Sequence, residues 1–237
     1  MFKGEKKVDI NVANENVAQD ISGVSTKKYK EVLVKKTPYK LVKRIMDVIL
    51  SLIGLVVLLP VFAIIALAIK IESKGPVFFK HTRIGRNGKI IKLYKFRSMV
   101  ENAEDLIQKF TPEQMKEYKE NYKLTDDPRI TKIGKILRKT SLDELPQLIN
   151  IIKGELSIIG PRPVVQDELE KYGTNAERFL SVTPGLTGYW AANGRSSTTY
   201  EERMKMELFY VDNLSFKLDI QVFFKTIISV LKKEGAM

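Results

Sequence analysis

The sequence contains no cysteine and a single histidine, His81. The first absence excludes disulfides, thiolate metal sites and a cysteine nucleophile. His81 lies among basic residues in the stretch 79–83, where neighbouring cations disfavour a metal site and favour a surface position. Most zinc hydrolases and most Ser-His-Asp mechanisms are therefore excluded, which leaves carboxylates, arginine, lysine and a hard metal ion as the tools for chemistry.

Negative charge is also scarce, since 40 Lys and Arg stand against 28 Asp and Glu and give a formal net charge of +12. Such an excess favours an anionic partner, which can be nucleic acid, anionic lipid or a phosphorylated substrate. Charge alone does not choose among these. With 237 residues, the chain can form one soluble domain in addition to a tail and a membrane segment.

Charged residues are absent from residues 48–69, a stretch long enough to enter a bilayer. It follows Lys43 and Arg44 and lacks a small-residue cleavage site, so it is not predicted to be a signal peptide. Pro60 removes a backbone donor near its middle, and a kink or break is expected there. Because basic residues flank both ends, both ends prefer the cytosol, which favours a re-entrant helix-break-helix over the alternative of a kinked span.

Three segments are predicted along the chain. Residues 1–40 are polar and show no sustained period, which is typical of a mobile basic tail. Residues 41–75 form the re-entrant membrane helix, and residues 76–237 form a small cytosolic catalytic domain. Within that domain, Asn87-Gly88 between two β-prone runs predicts a short β-hairpin. The predicted fold class is therefore α+β and mostly helical.

Two further helices are predicted in the catalytic domain. One begins near Ser141 or Asp143 and ends at Gly154. Its apolar face comprises Leu145, Leu148, Ile149 and Ile152. The other covers residues 201–233, and its apolar face comprises Phe223, Phe224, Ile227, Ile228 and Leu231. Core packing is the default explanation for the second face, and membrane contact is the alternative.

An acid pair, Asp143-Glu144, is the leading candidate for chemistry. The structural alternative is a capping box that starts at Ser141, or a helix N-cap at Asp143 itself. Against it, Arg138 and Lys139 precede the acids and a helix N-terminus adds positive charge, a setting that should lower a carboxylate pKa and gather anions. A carboxylate nucleophile needs no base but must be shielded from a phosphate, so a divalent cation is expected, and Mg²⁺ suits oxygen ligands.

The sequence Gly-Pro-Arg-Pro at 160–163 fixes the backbone on both sides of Arg162. Such a turn can present a guanidinium to a phosphate, whereas the alternative is a surface turn with a solvated arginine. Lys95 and Arg97 end the second predicted strand and are candidates for substrate contact or for a solvated face. Arg195 lies in a glycine-rich region that is either a substrate loop or a structural turn.

Several sequence blocks together resemble the bacterial sugar transferases, the monotopic phosphoglycosyl transferases that begin glycan assembly on a polyprenyl phosphate. The resemblance covers the chain from about Leu41 to the C-terminus. Its blocks are residues 137–148 (LRKTSLDELPQL), 160–163 (GPRP), 95–99 (KFRSM), 184–188 (PGLTG), 193–195 (NGR) and 210–219. The first two are long enough to be specific.

The resemblance implies a mechanism. In the family, the first acid of the pair attacks the β-phosphate of a UDP-sugar, releases UMP and becomes a covalent phosphosugar intermediate, which polyprenyl phosphate then takes over. Asp143 occupies that position and is also implied as a Mg²⁺ ligand, while Glu144 has a supporting catalytic role. The residues implied or predicted to bind substrate are Lys95, Arg97, Arg138, Arg162 and Arg195.

The resemblance also implies a location and partners: the cytoplasmic face of the bacterial inner membrane, membrane lipid, a UDP-sugar and undecaprenyl phosphate, without nucleic acid. A homo-oligomer is left open. The chain departs from the family pattern around Trp190 and has Glu207 where relatives have Asp, which leaves sugar specificity and the role of Glu207 undecided. The competing hypotheses are a basic membrane adaptor that binds anionic lipid or nucleic acid, and a magnesium-dependent phosphatase.

Overall fold

The computed structural model describes residues 37–121, 124, 126–194 and 198–231. The helices are α1 (Thr37–Glu72), α2 (Pro112–Asn121), α3 (Lys132–Thr140), α4 (Leu148–Lys153), α5 (Gln166–Glu170), α6 (Ala176–Leu180), α7 (Tyr189–Asn193), α8 (Tyr200–Asp212) and α9 (Phe216–Leu231). The strands are β1 (Phe78–Ile84), β2 (Ile90–Phe96), β3 (Ser157–Ile159) and β4 (Gly185–Thr187). The mostly helical class is confirmed. Of the predicted tail, residues 1–36 lie outside the described residues, and the last four belong to α1.

The predicted hairpin is confirmed. Strands β1 and β2 pair antiparallel, with Phe78 opposite Phe96 at the open end. Asn87 and Gly88 form the turn with φ values of 57° and 77°. Asn and Gly are the residues that tolerate this left-handed backbone, which is why the Asn-Gly signal was informative.

Helix α1 runs without interruption through Pro60. The predicted break into two half-helices is therefore not found in the helical backbone. Proline removes one N–H donor and leaves the other hydrogen bonds of the helix in place, so one residue of this kind does not have to end a helix. Helix α1 is long and apolar enough to cross a membrane by its length and composition. Its re-entrant topology stays a prediction.

One side of α1 is attached to the rest of the described structure on both sides of Pro60. Before it, the Asp47 carboxylate accepts a hydrogen bond of 3.0 Å from the Ile158 backbone N–H. After it, Ile69 is buried, and Glu72 at the end of the helix accepts the first N–H groups of α3. The opposite side is apolar and exposed: it includes Val56, Val57, Leu59, Ile64, Leu67 and Ile71. One side of α1 therefore packs against the rest of the described structure, and the apolar opposite side is left uncovered by it.

The predicted helix over 201–233 is two helices, α8 and α9, separated by a turn at 213–215. The prediction that its apolar face packs in the core is wrong. Phe224 is 59% exposed and Ile228 is 51% exposed, and Phe223 and Ile227 are exposed as well. Helix α9 instead packs inward through Val222, which lies in a cluster with Tyr210. Periodicity identified the apolar face, but the burial falls on a narrower line of side chains beside it.

The predicted helix after Ser141 begins as a 3₁₀ helix, Leu142–Gln147, and continues as α4. Gly154 ends it with φ 82°, as predicted. The predicted apolar face is partly wrong, because Ile149 is exposed and Ile151 is fully buried. A 3₁₀ segment has three residues per turn, so it shifts the phase of every later side chain relative to a continuous α-helix.

The small parallel pair of β3 and β4 positions the 160–163 turn. Ile159 pairs with Thr187, and the Gly160 N–H donates to the Thr187 carbonyl at 2.9 Å. A Cβ at Gly185 would lie 2.1 Å from the Gly160 nitrogen, so the two backbones meet at a distance that only glycine permits. The turn therefore projects from a rigid support.

A substitution at Gly134 tests how α3 is seated. In an exposed helix, Gly→Ala would stabilise by about 1 kcal/mol. Here a Cβ would lie 2.0 Å from the Ser98 carbonyl oxygen. Gly134→Ala should therefore lower the free energy of unfolding by about 3 kcal/mol, measured by denaturant unfolding in detergent. Lys135→Ala, at the exposed neighbouring position, is the control and should change little; a gain in stability for Gly134→Ala would contradict this packing.

Candidate active site

Asp143 lies in the 3₁₀ helix that follows α3, and its residue is only 8% exposed. Ser141 adopts a left-handed backbone with φ 57° and its side chain caps no N–H. The capping-box interpretation is therefore wrong. Among the described residues, no side chain lies within hydrogen-bonding or ion-pair distance of the Asp143 carboxylate. The carboxylate interacts with its own backbone N–H. It is therefore a buried acid without a side-chain partner, which is an uncommon environment for a purely structural carboxylate.

Glu144 has the opposite environment. Its Oε1 accepts a hydrogen bond of 2.6 Å from Lys95 Nζ on β2. Burial raises the pKa of Glu144, but Lys95 and Arg162 outweigh this effect and hold it below its ordinary range. The two adjacent acids therefore have different surroundings, because Glu144 forms a salt bridge and Asp143 has no side-chain partner among the described residues.

The pKa of Asp143 is raised to about 6, first by burial and further by the charge on Glu144, while Lys95 and Arg138 oppose the rise. The expectation that the site lowers the pKa of this carboxylate is wrong, because desolvation outweighs the cations. Asp143 is still mostly ionised at neutral pH. The site thus holds a poorly solvated anion without a side-chain partner, which is an environment typical of functional carboxylates.

A cleft lies beside the acid pair. Its wall includes Arg83, Lys95, Glu144, Arg162, Trp190 and Glu207. Three of these are cations and two are carboxylates, so the wall keeps a net positive charge that favours an anionic ligand. Glu144 lines the cleft directly, whereas Asp143 precedes it in the chain and does not form part of the wall.

Arg162 is exposed, and its guanidinium makes no hydrogen bond to any described residue. Its Cζ lies 5.9 Å from the Trp190 ring centroid. The backbone beneath it is held rigidly, since the Gly185 N–H donates to the Pro161 carbonyl at 2.9 Å. Arg162 therefore presents a free planar fork on a fixed support, which is the arrangement that bidentate phosphate binding requires.

The remaining predicted arginines are not all brought to the cleft. Arg138 Nε donates to Ser98 Oγ at 2.9 Å, and Arg138 is close enough to Asp143 for its charge to affect that carboxylate. Arg97 is buried, and its guanidinium donates to the carbonyls of Ser73 and Lys74, just beyond the end of α1. Arg97 therefore stabilises the chain where it leaves α1 and does not line the cleft. Arg195 lies outside the described residues.

Residues of β1 add to the site. Because Phe79 pairs with Lys95 across the hairpin, His81 and Arg83 follow on the same face of β1 at a period of two. Burial and the cations Arg83, Lys95 and Arg162 lower the pKa of His81 to about 3, so it is neutral. The surface position expected for His81 is wrong, since it is half-buried. The register of the hairpin was the signal that could have identified Arg83.

The raised pKa of Asp143 predicts a pH-dependent stability. Its folded value of about 6 exceeds the ordinary 3.8, so proton binding favours the folded state. That stabilisation is complete below about pH 4 and is lost as pH rises through about 6. Asp143→Asn cannot titrate, so it should be more stable than the wild type at pH 8, by up to about 3 kcal/mol.

The measurement is thermal unfolding in detergent without divalent cations at pH 8, 6 and 4. The stability difference between the variant and the wild type should shrink toward the lowest pH. A difference that is the same at every pH would contradict a buried, titrating Asp143.

The model of the family described as bacterial sugar transferase matches residues 38–233. The exopolysaccharide production protein ExoY of Sinorhizobium fredii is 45% identical over 197 residues, covering 82% of this chain and 87% of that protein. The undecaprenyl-phosphate galactose phosphotransferase of Salmonella typhimurium is 39% identical over 204 residues, covering 85% of this chain and 43% of that protein. The UDP-glucose:undecaprenyl-phosphate glucose-1-phosphate transferase of Escherichia coli is 39% identical over 198 residues, which are 79% of this chain and 40% of that enzyme. The chain thus matches most of the first relative and less than half of the other two. It belongs to the bacterial sugar transferase family.

Proposed function

We propose that the protein transfers a sugar 1-phosphate from a UDP-sugar to undecaprenyl phosphate and releases UMP, as the first membrane step in the synthesis of an exopolysaccharide, capsule or glycoconjugate. The observation that carries this proposal is the buried carboxylate of Asp143, which has no side-chain partner among the described residues and immediately precedes Glu144 in the wall of a cleft with three cations. The printed names of the Salmonella and Escherichia relatives, which describe sugar phosphate transfer to undecaprenyl phosphate, support it. An adaptor function leaves this acid without a role.

In the proposed reaction, an Asp143 carboxylate oxygen attacks the β-phosphorus of the donor. A bond forms between that oxygen and phosphorus, and the bond from phosphorus to the bridging oxygen breaks, so UMP leaves with the electron pair. An oxygen of undecaprenyl phosphate then attacks the same phosphorus. The aspartyl oxygen leaves, which restores the carboxylate and yields a lipid diphosphate sugar.

The main barrier to such an attack is like-charge repulsion. Two unit charges at 4 Å repel by about 4 kcal/mol at an effective dielectric of about 20, roughly a thousandfold in rate. Arg162 and Arg83 line the cleft and can offset the phosphate charge. Because Lys95 donates its hydrogen bond to Glu144, its ammonium charge acts on Asp143 without a hydrogen bond to the Asp143 oxygens.

We include Mg²⁺ in this proposal. Among the described residues, no group of three or more His, Asp or Glu side chains could hold a metal ion. Mg²⁺, however, is commonly bound by one or two carboxylates together with substrate phosphates, and the unpaired Asp143 beside Glu144 fits that donor set. A bound ion would neutralise part of the diphosphate charge.

The proposed location is the cytoplasmic face of the membrane, with the exposed apolar side of α1 in lipid and both ends of the helix on the cytosolic side. Leu58 before Pro60 and Ile65 after it both pack against the catalytic domain. A helix that crossed about 30 Å of hydrocarbon would carry one of these flanks away from that domain. The exposed apolar face of α9 adjoins α1, since the rings of Tyr39 and Phe216 lie 5.0 Å apart, and it extends the apolar surface available to lipid.

Asp143→Asn should abolish UMP release from UDP-sugar in membranes that contain undecaprenyl phosphate, because an amide cannot supply the anionic nucleophile. Mass spectrometry of the wild type with donor and Mg²⁺ should find a phosphosugar adduct on Asp143. Asp126→Asn, at a surface acid, is the control and should retain activity.

Wild-type turnover in Asp143→Asn would refute the aspartyl mechanism. UMP release that continues beyond one turnover without the lipid acceptor would instead indicate a hydrolase, because water would then be intercepting the intermediate.

Single cysteines introduced at Lys40 and Lys89 test the topology, and the native chain contributes no background because it has no cysteine. With a membrane-impermeant thiol reagent, neither site should be labelled in intact cells and both should be labelled in opened cells. Labelling of one site alone in intact cells would establish a spanning helix.

A further inference from the structure

Buried polar atoms without a partner are concentrated behind the cleft. Of the seven such side-chain atoms among the described residues, four belong to Tyr172, Arg203 and Glu207. The three residues are close enough that the charges of Glu207 and Arg203 both act on Tyr172. Unpartnered buried polar groups are expensive, so a concentration of them in one layer needs an explanation beyond packing.

Glu207 is the member of this layer that reaches the site. It lies on α8 and is only 1% exposed. Its Oε1 accepts a hydrogen bond of 3.1 Å from the backbone N–H of Arg162. Its Oε2 has no partner among the described residues, and the side chain forms part of the cleft wall.

The bonded N–H has a special position in its turn. Pro161 and Pro163 carry no N–H, so Arg162 supplies the single backbone donor between Gly160 and Val164. That donor is the one held by Glu207. The prolines restrict the backbone on either side, and the carboxylate fixes the orientation of the peptide that carries the arginine.

Neighbouring groups partly offset the cost of burying this carboxylate. Burial raises the pKa of Glu207 to about 7, and the Arg162 N–H and the charge of Arg203 oppose the rise. Arg203 in turn pairs with Glu168 at 2.9 Å, and its Cζ lies 4.8 Å from the Trp190 ring centroid. The layer thus connects α8 to both the arginine and the aromatic ring of the cleft.

We infer that Glu207 is a positioning residue for Arg162, which anchors the 160–163 turn from behind and keeps the guanidinium directed at the phosphates of the donor. Glu207 acts through Arg162 and does not touch the reacting atoms. The inference rests on the proposed function, because the turnover of a UDP-sugar is its readout.

A double-mutant cycle separates positioning from general support of the fold. Glu207→Met removes the acceptor at similar size and should lower kcat/KM for the donor about tenfold in the wild type, measured as UMP release at subsaturating UDP-sugar. In an Arg162→Ala background, the same substitution should lower it less than about twofold, because the side chain being positioned is gone.

The matched control is Asp219→Asn. Asp219 is another buried carboxylate, on α9, and it accepts hydrogen bonds from Tyr39 and Tyr210. Asp219→Asn should lower kcat/KM by the same factor with and without the Arg162 side chain. Glu207→Gln retains a carbonyl oxygen for the Arg162 N–H and should retain most of the activity.

Equal losses from Glu207→Met in both backgrounds would overturn the inference, as would an Arg162→Ala variant with unchanged kcat/KM. If Glu207→Met does not fold, Glu207→Asp, whose shorter side chain withdraws the acceptor, takes its place in the cycle with the same two outcomes. Failure of the proposed function is distinguishable, since the wild type itself would then release no UMP.

Discussion

In the proposed reaction, the main obstacle is the repulsion between a carboxylate and a phosphate. The structure buries Asp143 without a side-chain partner among the described residues, and this burial raises the pKa of its carboxyl. Cations that paired directly with it would remove the repulsion but would also occupy the attacking oxygens. The salt bridge between Lys95 and Glu144 resolves this conflict, because it keeps a positive charge close while its shortest contact is made to the neighbouring acid. The proposed reaction therefore uses both carboxylates, one to attack and the other to hold the ammonium of Lys95.

The cations of the cleft need fixed positions, because an electrostatic interaction stabilises a transition state best when no reorganisation is required. In the 160–163 turn, the position of Arg162 is fixed by constraints on the backbone. Glycine allows close approach to β4, proline restricts the dihedrals, and Glu207 takes the one remaining donor. Arg83 and Lys95 obtain their fixed positions from the register of the hairpin instead.

The sequence predicted those features that depend on local chemistry. The Asn-Gly hairpin turn, the glycine stop at Gly154 and the apolar character of α1 follow from a few consecutive residues. The acid pair was also visible, but its local pattern fits a capping box and an active site equally well. Ser141, whose left-handed backbone decides against the cap, is at once the C-cap of α3 and the residue before the 3₁₀ helix, and the four residues alone do not show that junction.

Features that depend on distant contacts were missed or assigned wrongly. Lys95 and Arg97 are two residues apart, yet the strand ends between them and Arg97 turns back to carbonyls at the end of α1. Periodicity found the apolar face of α9 but contained no information about which other surface covers it. The role of Glu207 depends on an amide 45 residues away in sequence. Such contacts are set by the tertiary structure, and local sequence patterns do not predict which distant residues meet.

The attachments of α1 connect membrane depth to the chemistry. Arg44 donates to the carbonyls of Ile151 and Ile152 at the end of α4, the helix that continues from the acid pair. Asp47 holds the Ile158 N–H in β3, two residues before the 160–163 turn.

At the other end of α1, Glu72 caps α3, the helix that carries Arg138. Three segments next to the site are thus hydrogen-bonded directly to α1: α4, which continues from the acid pair, β3, which precedes the 160–163 turn, and α3. In the proposed reaction the acceptor phosphate lies at the interface, so the depth of α1 sets the height of Asp143 relative to that phosphate. A misplacement of about 1 Å can cost a hundredfold in rate. In that reaction the polar contacts of α1 would matter as much as its apolar surface, because the apolar surface would hold the helix in lipid and the polar contacts would transmit its depth to Asp143.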